Sequence, residues 1–126
     1  MSLQTPLARA RGLGSAKEGS HHWWAQRLTA IALVPLSLWF IYSLVCIGSM
    51  DYNTAVEWLQ SPVTSVLMIL FVVALFYHAQ LGIQVVVEDY VRCEVLKISC
   101  IILTSFLMLF AGISGVLAIL KVFLGL

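Results

Sequence analysis

Three long apolar runs that contain no Lys, Arg, Asp or Glu constrain this chain more than any other feature. They cover residues 28–48, 62–87 and 98–120. Each has the length of about 20 apolar residues that an α-helix needs to cross the hydrocarbon core of a bilayer. Because lipid offers no partner to a free N–H or C=O group, a single spanning segment must be helical. The runs therefore predict three transmembrane helices.

The composition leaves little room for anything else. Of the 126 residues, 61% are hydrophobic and 10% are charged, a balance that a water-soluble globule of this size could not bury. The connections, roughly residues 49–61 and 88–97, are too short for a separate soluble domain. We predict an all-α membrane protein in which a flexible N-terminal arm, residues 1–20, precedes a three-helix transmembrane domain, residues 21–126.

The distribution of charge predicts an orientation. Basic residues lie before the first run and in the second connection, whereas the first connection has only acidic charges: Arg9, Arg11, Lys17, Arg27, Arg92 and Lys97 against Asp51 and Glu57. The positive-inside rule places the N-terminus in the cytoplasm and the C-terminus in the periplasm of a bacterial inner membrane, with Lys121 as an exception. A basic arm is also typical of a transit peptide, so the mitochondrial inner membrane is the alternative. The net charge of +1 gives no indication of a nucleic acid partner.

His78 is the one histidine inside an apolar run. An imidazole in hydrocarbon needs a partner that offsets its desolvation. The partner is either a metal, as in a haem whose flat ring approaches beside Gly82, or a carbonyl or hydroxyl group on a neighbouring helix. The spacing leaves both open, and a haem held by two histidines would need another chain. Three cysteines have no spacing suited to zinc or iron–sulfur clusters and are predicted to be packing residues: Cys46, Cys93 and Cys100.

The second run is followed by Asp89 and Tyr90. On a continuous helix, the eleven steps from His78 to Asp89 separate the two side chains by about 20° around the axis and about 16 Å along it. Asp89 would then lie at the inner boundary of the membrane. The Tyr90 phenol can donate a hydrogen bond to a quinone carbonyl, and Asp89 can orient it or relay protons. Alternatively, this stretch is a solvated loop balanced by Arg92 and Lys97.

Together these residues resemble a known family. The pattern of His21-His22-Trp23-Trp24, Arg27-Leu28-Thr29-Ala30, His78 and Asp89-Tyr90 is similar to that of the smaller hydrophobic anchor subunit of succinate dehydrogenase, respiratory complex II. The resemblance extends from about Gly19 to the C-terminus. It implies that the chain forms half of a heterodimeric anchor bundle in the lipid bilayer. Its implied partners are a larger cytochrome b anchor subunit, an iron–sulfur subunit and a flavoprotein subunit.

The resemblance also implies a role for each site residue. His78 would be one axial ligand of the iron of haem b, with the other from the larger anchor subunit, and Arg27 and His21 would lie near the haem propionates. Tyr90 would hydrogen-bond a ubiquinone carbonyl, and Asp89 would hold that phenol or pass protons. The chain has no succinate site, so it would be an enzyme only as a subunit of succinate:ubiquinone oxidoreductase. The alternatives are the anchor of a fumarate reductase or other quinone-linked dehydrogenase, and a non-redox accessory subunit of a transporter.

Overall fold

The computed structural model describes residues 5–10, 17–48 and 51–126, and within these ranges the chain has helices and no β-strand. The helices are α1 (Pro6–Ala10), α2 (Lys17–Ile47), α3 (Tyr52–Gln60), α4 (Pro62–Tyr90) and α5 (Glu94–Phe123). Three stretches are long and apolar enough to cross a membrane: Gly19–Ile47, Pro62–Tyr90 and Glu94–Phe123. The predicted all-α class and the three membrane helices are confirmed.

Helix α2 begins well before the first apolar run. It has 31 residues, which corresponds to about 46 Å, and it starts at Lys17 rather than near Leu28. The predicted boundary between arm and domain, at residue 20, therefore falls inside a helix. Of the predicted arm, residues 1–4 and 11–16 lie outside the described residues. Pro35 lies inside α2, where it lacks the N–H group for the usual bond to the preceding turn.

The first connection is also largely helical rather than an irregular loop. Asp51 caps α3 by accepting the backbone N–H of Thr54 at 3.1 Å. Hydrogen bonds from the Thr54 side chain and backbone hold the pKa of Asp51 below its usual value. Trp58 of α3 stacks on Trp39 of α2 with ring centroids 5.8 Å apart, which fixes α3 against α2. Pro62 then begins α4, because proline is favoured at the first position of a helix.

Helix α4 lies between α2 and α5 and packs against both. It runs antiparallel to α2, since Phe71 stacks on Phe40 with centroids 5.2 Å apart, while His78, further along α4, meets the earlier residue Thr29. Only residues 91–93 separate α4 from α5, so this pair is antiparallel as well.

Glycines bring α5 close to α4. A Cβ atom on Gly115 would lie 3.1 Å from Cγ1 of Val72, and one on Gly112 would lie 3.6 Å from Cβ of Phe76. Small residues at such positions allow the close backbone approach on which membrane helices rely, because lipid provides no hydrophobic force between them. The α4–α5 pair is therefore the most tightly fitted part of the fold.

The helices bury little of their apolar surface against one another. In the described part of the chain, the buried apolar residues are Leu81 and Ile119. Large apolar side chains are exposed along the long helices, among them Ile31 at 70% and Phe110 at 74%. Such a surface must be covered by lipid or by helices of other chains.

Candidate functional site

His78 contacts α2 through one hydrogen bond. Its Nδ1 atom lies 2.9 Å from Oγ1 of Thr29. That hydroxyl oxygen also lies 2.8 Å from the carbonyl oxygen of Ala25 and 3.0 Å from that of Gln26. A hydroxyl has one hydrogen and a carbonyl can only accept, so when Thr29 donates to its own helix it accepts from Nδ1–H of His78. This assignment places the proton of a neutral imidazole on Nδ1.

The other ring nitrogen of His78 is left with its lone pair. Within the described residues, Nε2 forms no hydrogen bond, and it is not among the buried atoms that lack a partner. One turn further along α4, a Cβ atom on Gly82 would meet nothing within 4 Å. The hydroxyl contact expected for a buried histidine is therefore present, but it uses only one nitrogen. The second is available to a ligand beside an open surface.

No second metal ligand accompanies His78 in the described ranges. They contain no group of three or more His, Cys, Asp or Glu side chains that could hold a metal ion. Three cysteines are free thiols: Cys46, Cys93 and Cys100. His21 and His22 lie on α2, about 10–12 Å along the axis from Thr29. Both therefore lie about two helical turns from the residue of α2 that contacts His78.

The N-terminal part of α2 places its polar residues on different faces. Arg27 and His21 are exposed, and the Arg27 guanidinium lies 5.4 Å from the ring centroid of Trp23. Arg27 is about 200° from Thr29 around α2, so its Cα atom lies on the face of α2 that points away from His78. His22 precedes Thr29 by seven residues and shares its face, and its Nε2 is buried without a partner. The propionate roles of Arg27 and His21 stay predictions.

Asp89 and Tyr90 form the end of α4. Because the helix is continuous through Tyr90, Asp89 lies on the same face as His78, about 16 Å along the axis. Both side chains are exposed, Tyr90 at 81%. Neither forms a hydrogen bond or ion pair with another described residue, and Lys97 pairs instead with Glu94 at 3.6 Å. The chain thus presents a phenol and a carboxylate to its surroundings.

A groove of about 540 Å³ lies on a different side of α4, between α4 and α5. Its walls are mainly apolar, and its polar members include Gln80 and Ser105, where Nε2 of Gln80 donates to Oγ of Ser105 at 2.6 Å. None of the predicted site residues lines this groove. The chemistry indicated by the sequence therefore belongs to the α2 side and to the end of α4.

The family comparison covers most of the chain. The sequence profile of the succinate dehydrogenase/fumarate reductase transmembrane subunit matches residues 1–119. The chain belongs to this family. Membership confirms the resemblance drawn from the sequence, and it separates the chain from the accessory subunits of transporters.

Individual members of the family are similar to this chain over most of their length. A succinate dehydrogenase hydrophobic membrane anchor subunit of Rickettsia bellii is 37% identical over 117 residues, which cover 93% of this chain and 94% of the relative. The succinate dehydrogenase membrane anchor subunit of Reclinomonas americana is 34% identical, with 69% and 75% covered. The hydrophobic membrane anchor subunit of Paracoccus denitrificans is 30% identical, with 71% and 70% covered. Like these anchors, the chain is a multi-pass membrane protein.

Sequence reasoning assigns Thr29 no role, although the structure makes it the hydrogen-bond partner of His78. If the first membrane helix began at Leu28, Thr29 would lie at the membrane boundary rather than at the depth of His78. The available signal is the seven-residue spacing from His22 to Thr29, which places both on one face of a helix that starts earlier.

Proposed function

We propose that this chain is the membrane anchor of a succinate:ubiquinone oxidoreductase, in which His78 binds the iron of haem b and Tyr90 and Asp89 contribute to the ubiquinone site. The observation that best supports the proposal is the His78 imidazole, because its Nδ1 is engaged by Thr29 and its Nε2 is free beside the open surface at Gly82. The names of the relatives support the choice of succinate dehydrogenase as the complex.

Haem b fits the residues that are present. A neutral imidazole with a free lone pair is a common ligand of haem iron, and the lack of a side chain at Gly82 leaves space beside it. When bound, haem b supplies a one-electron redox centre. His78 would hold the iron, and the apolar side chains of α2 and α4 would exclude water. A second imidazole ligand would come from the larger cytochrome b anchor subunit.

Arg27 and His21, in the N-terminal part of α2, would hold the haem propionates. There, the Arg27 guanidinium suits paired carboxylates because it can form two parallel hydrogen bonds. His21 would add a second donor. Because Arg27 lies over Trp23 on the far side of α2 from Thr29, its long side chain would have to leave the tryptophan ring to reach a propionate.

Ubiquinone reduction takes up two electrons and two protons, so its site needs both an apolar entry and access to water. Tyr90 and Asp89 meet this requirement, because they end the apolar helix α4 and are exposed. The Tyr90 phenol would donate a hydrogen bond to a quinone carbonyl oxygen, and Asp89 would orient the phenol or deliver protons from the aqueous side. Since neither has a partner among the described residues, other subunits would complete the pocket.

The exposed apolar surface supports assembly with other chains. The larger anchor subunit would complete a heterodimeric helix bundle, and the iron–sulfur and flavoprotein subunits would dock on the side of the N-terminus and pass on electrons from succinate. The excess of basic residues before the first span supports a bacterial inner membrane with the N-terminus in the cytoplasm and the C-terminus in the periplasm.

Purification of the complex through a C-terminal tag tests this function. We expect the flavoprotein, iron–sulfur and larger anchor subunits to co-purify, and the preparation to reduce ubiquinone with succinate and to give the difference spectrum of a b-type haem. A preparation without a flavoprotein would refute the function as a whole. Succinate oxidation without a haem signal would refute the role of His78 alone. Faster reduction of fumarate by a quinol would assign the chain to a fumarate reductase.

A further inference from the structure

We propose that Thr29 is a positioning residue for the haem ligand, because its hydroxyl group accepts the Nδ1 proton of His78 and thereby presents the Nε2 lone pair to iron. The inference rests on the proposed function, in which His78 binds haem iron. It adds a specific task for Thr29, to which the sequence assigns no role.

The direction of the hydrogen bonds follows from the backbone of α2. The Thr29 hydroxyl lies within reach of two carbonyl oxygens of its own helix, at 2.8 and 3.0 Å. Its single hydrogen is therefore occupied, and its lone pair faces Nδ1 of His78 at 2.9 Å. The reverse arrangement would need a bare Nδ1 and would place the proton on Nε2, where it would block a metal. The two carbonyl acceptors beside the Thr29 hydroxyl therefore favour the tautomer that can bind iron through Nε2.

A similar hydrogen-bond chain joins α4 to α5. Gln80 donates to Oγ of Ser105, which in turn donates to the carbonyl oxygen of Ile101 at 2.7 Å. Both contacts link two helices through a hydroxyl group, but only the contact of Thr29 ends on an imidazole. The Ser105→Ala variant is therefore a matched control for the loss of an interhelical hydrogen bond.

A hydrogen bond to Nδ1–H increases the basicity of a ligating imidazole and strengthens its bond to the metal. A more basic ligand favours the oxidised iron. Thr29→Val keeps the branched shape but removes the acceptor. We expect haem to dissociate about 10–100-fold faster from the Thr29→Val complex and its midpoint potential to become more positive. Thr29→Ser, which retains a hydroxyl, should restore both values, and Ser105→Ala should change neither.

The experiment measures haem transfer to apomyoglobin and a redox titration on the purified complexes. A haem transfer rate and a midpoint potential of Thr29→Val equal to those of the wild type would overturn the positioning role. So would equal changes in Ser105→Ala, because these would indicate general loosening of the helices.

A separate readout distinguishes failure of this inference from failure of the proposed function. If no haem in the wild-type complex depends on His78, the proposed role of His78 as a haem ligand fails. The contact with Thr29 is then tested separately, by a ¹⁵N NMR measurement of the His78 tautomer in the histidine-labelled complex. We expect the Nδ1–H tautomer of His78 in the wild type and a loss of that preference in Thr29→Val. The Nε2–H tautomer in the wild type would contradict the role of Thr29.

Discussion

The two sides of α4 differ in how they meet their neighbours. Toward α5, a glycine allows close helix packing, since a Cβ atom on Gly115 would approach Val72 to 3.1 Å, and the groove of about 540 Å³ on this side has mainly apolar walls. Toward α2, at the level of His78, the contact is a hydrogen bond to Thr29, and the surface at Gly82 is open. The α5 side is held mainly by apolar packing, whereas the α2 side, which is the open side at Gly82, is joined by a hydrogen bond to an imidazole.

This difference separates the residues that pack the helices together from the residues proposed to bind a cofactor and a substrate. At Gly112 and Gly115, the α4–α5 contact is made by residues of this chain alone. The α2 side leaves an imidazole nitrogen unused, and the end of α4 leaves the phenol of Tyr90 exposed. Under the proposed function, the unused imidazole nitrogen and the exposed phenol are the groups that partner chains would complete.

The largest expected effect is on the open side. His78→Leu removes the ligand nitrogen, so we expect the haem content of the purified complex to fall to background. The difference spectrum per mole of flavoprotein measures this. Gln80→Leu is the matched control, because it changes a polar residue of α4 that contacts α5, and it should retain haem. Unchanged haem content in His78→Leu would show that the α2 side of α4 does not bind haem through His78.

A smaller effect is expected at the end of α4. Tyr90→Phe keeps the ring and deletes the donor, so ubiquinone reduction by succinate should fall about 100-fold while haem content stays the same. Succinate oxidation with an artificial dye as acceptor should be unaffected, since it bypasses the quinone. Tyr52→Phe, at an equally exposed tyrosine beyond the opposite end of α4, should leave all activities unchanged. Normal turnover of Tyr90→Phe with ubiquinone would exclude its role as a donor.

The smallest effect should appear on the side of α4 that faces α5. Gly115→Leu forces a large side chain against Val72, and overpacking of this kind costs about 1–3 kcal/mol. We expect the complex to dissociate at a lower concentration of a denaturing detergent. The positions of its haem absorption bands should stay the same. Gly112→Ala should be close to neutral, because its Cβ atom would make an ordinary contact at 3.6 Å. Equal stability of Gly115→Leu and the wild type would mean that α5 does not depend on this close approach.

The membrane helices could be predicted from the sequence because lipid leaves an apolar run of that length one conformation. Their ends could not. Hydropathy reports which residues prefer hydrocarbon, whereas a helix continues as long as its backbone hydrogen bonds do, and α2 therefore starts at Lys17 instead of near Leu28. For the same reason, the first connection forms α3, for which Asp51 provides the cap.

The candidate site was predictable where it depended on one helix and not where it depended on two. Helical geometry predicts that His78 and Asp89 share a face if the helix continues from one to the other. Helix α4 does continue through Tyr90. The partner of His78 depends on how deeply α2 enters the membrane, which the apolar run misplaces. The same limit applies to Arg27. Once Thr29 is known to face His78, the two-residue spacing places Arg27 on another face of α2.

Imidazole rescue of the His78→Gly variant tests the central claim, that Nε2 of His78 binds haem iron, most directly. We predict that the purified variant complex lacks the b-type difference spectrum and regains it in proportion to added imidazole. Pyrrole, which is of similar size but has no free nitrogen lone pair, should have no effect. A haem spectrum of wild-type strength in the variant before any imidazole is added would contradict the claim.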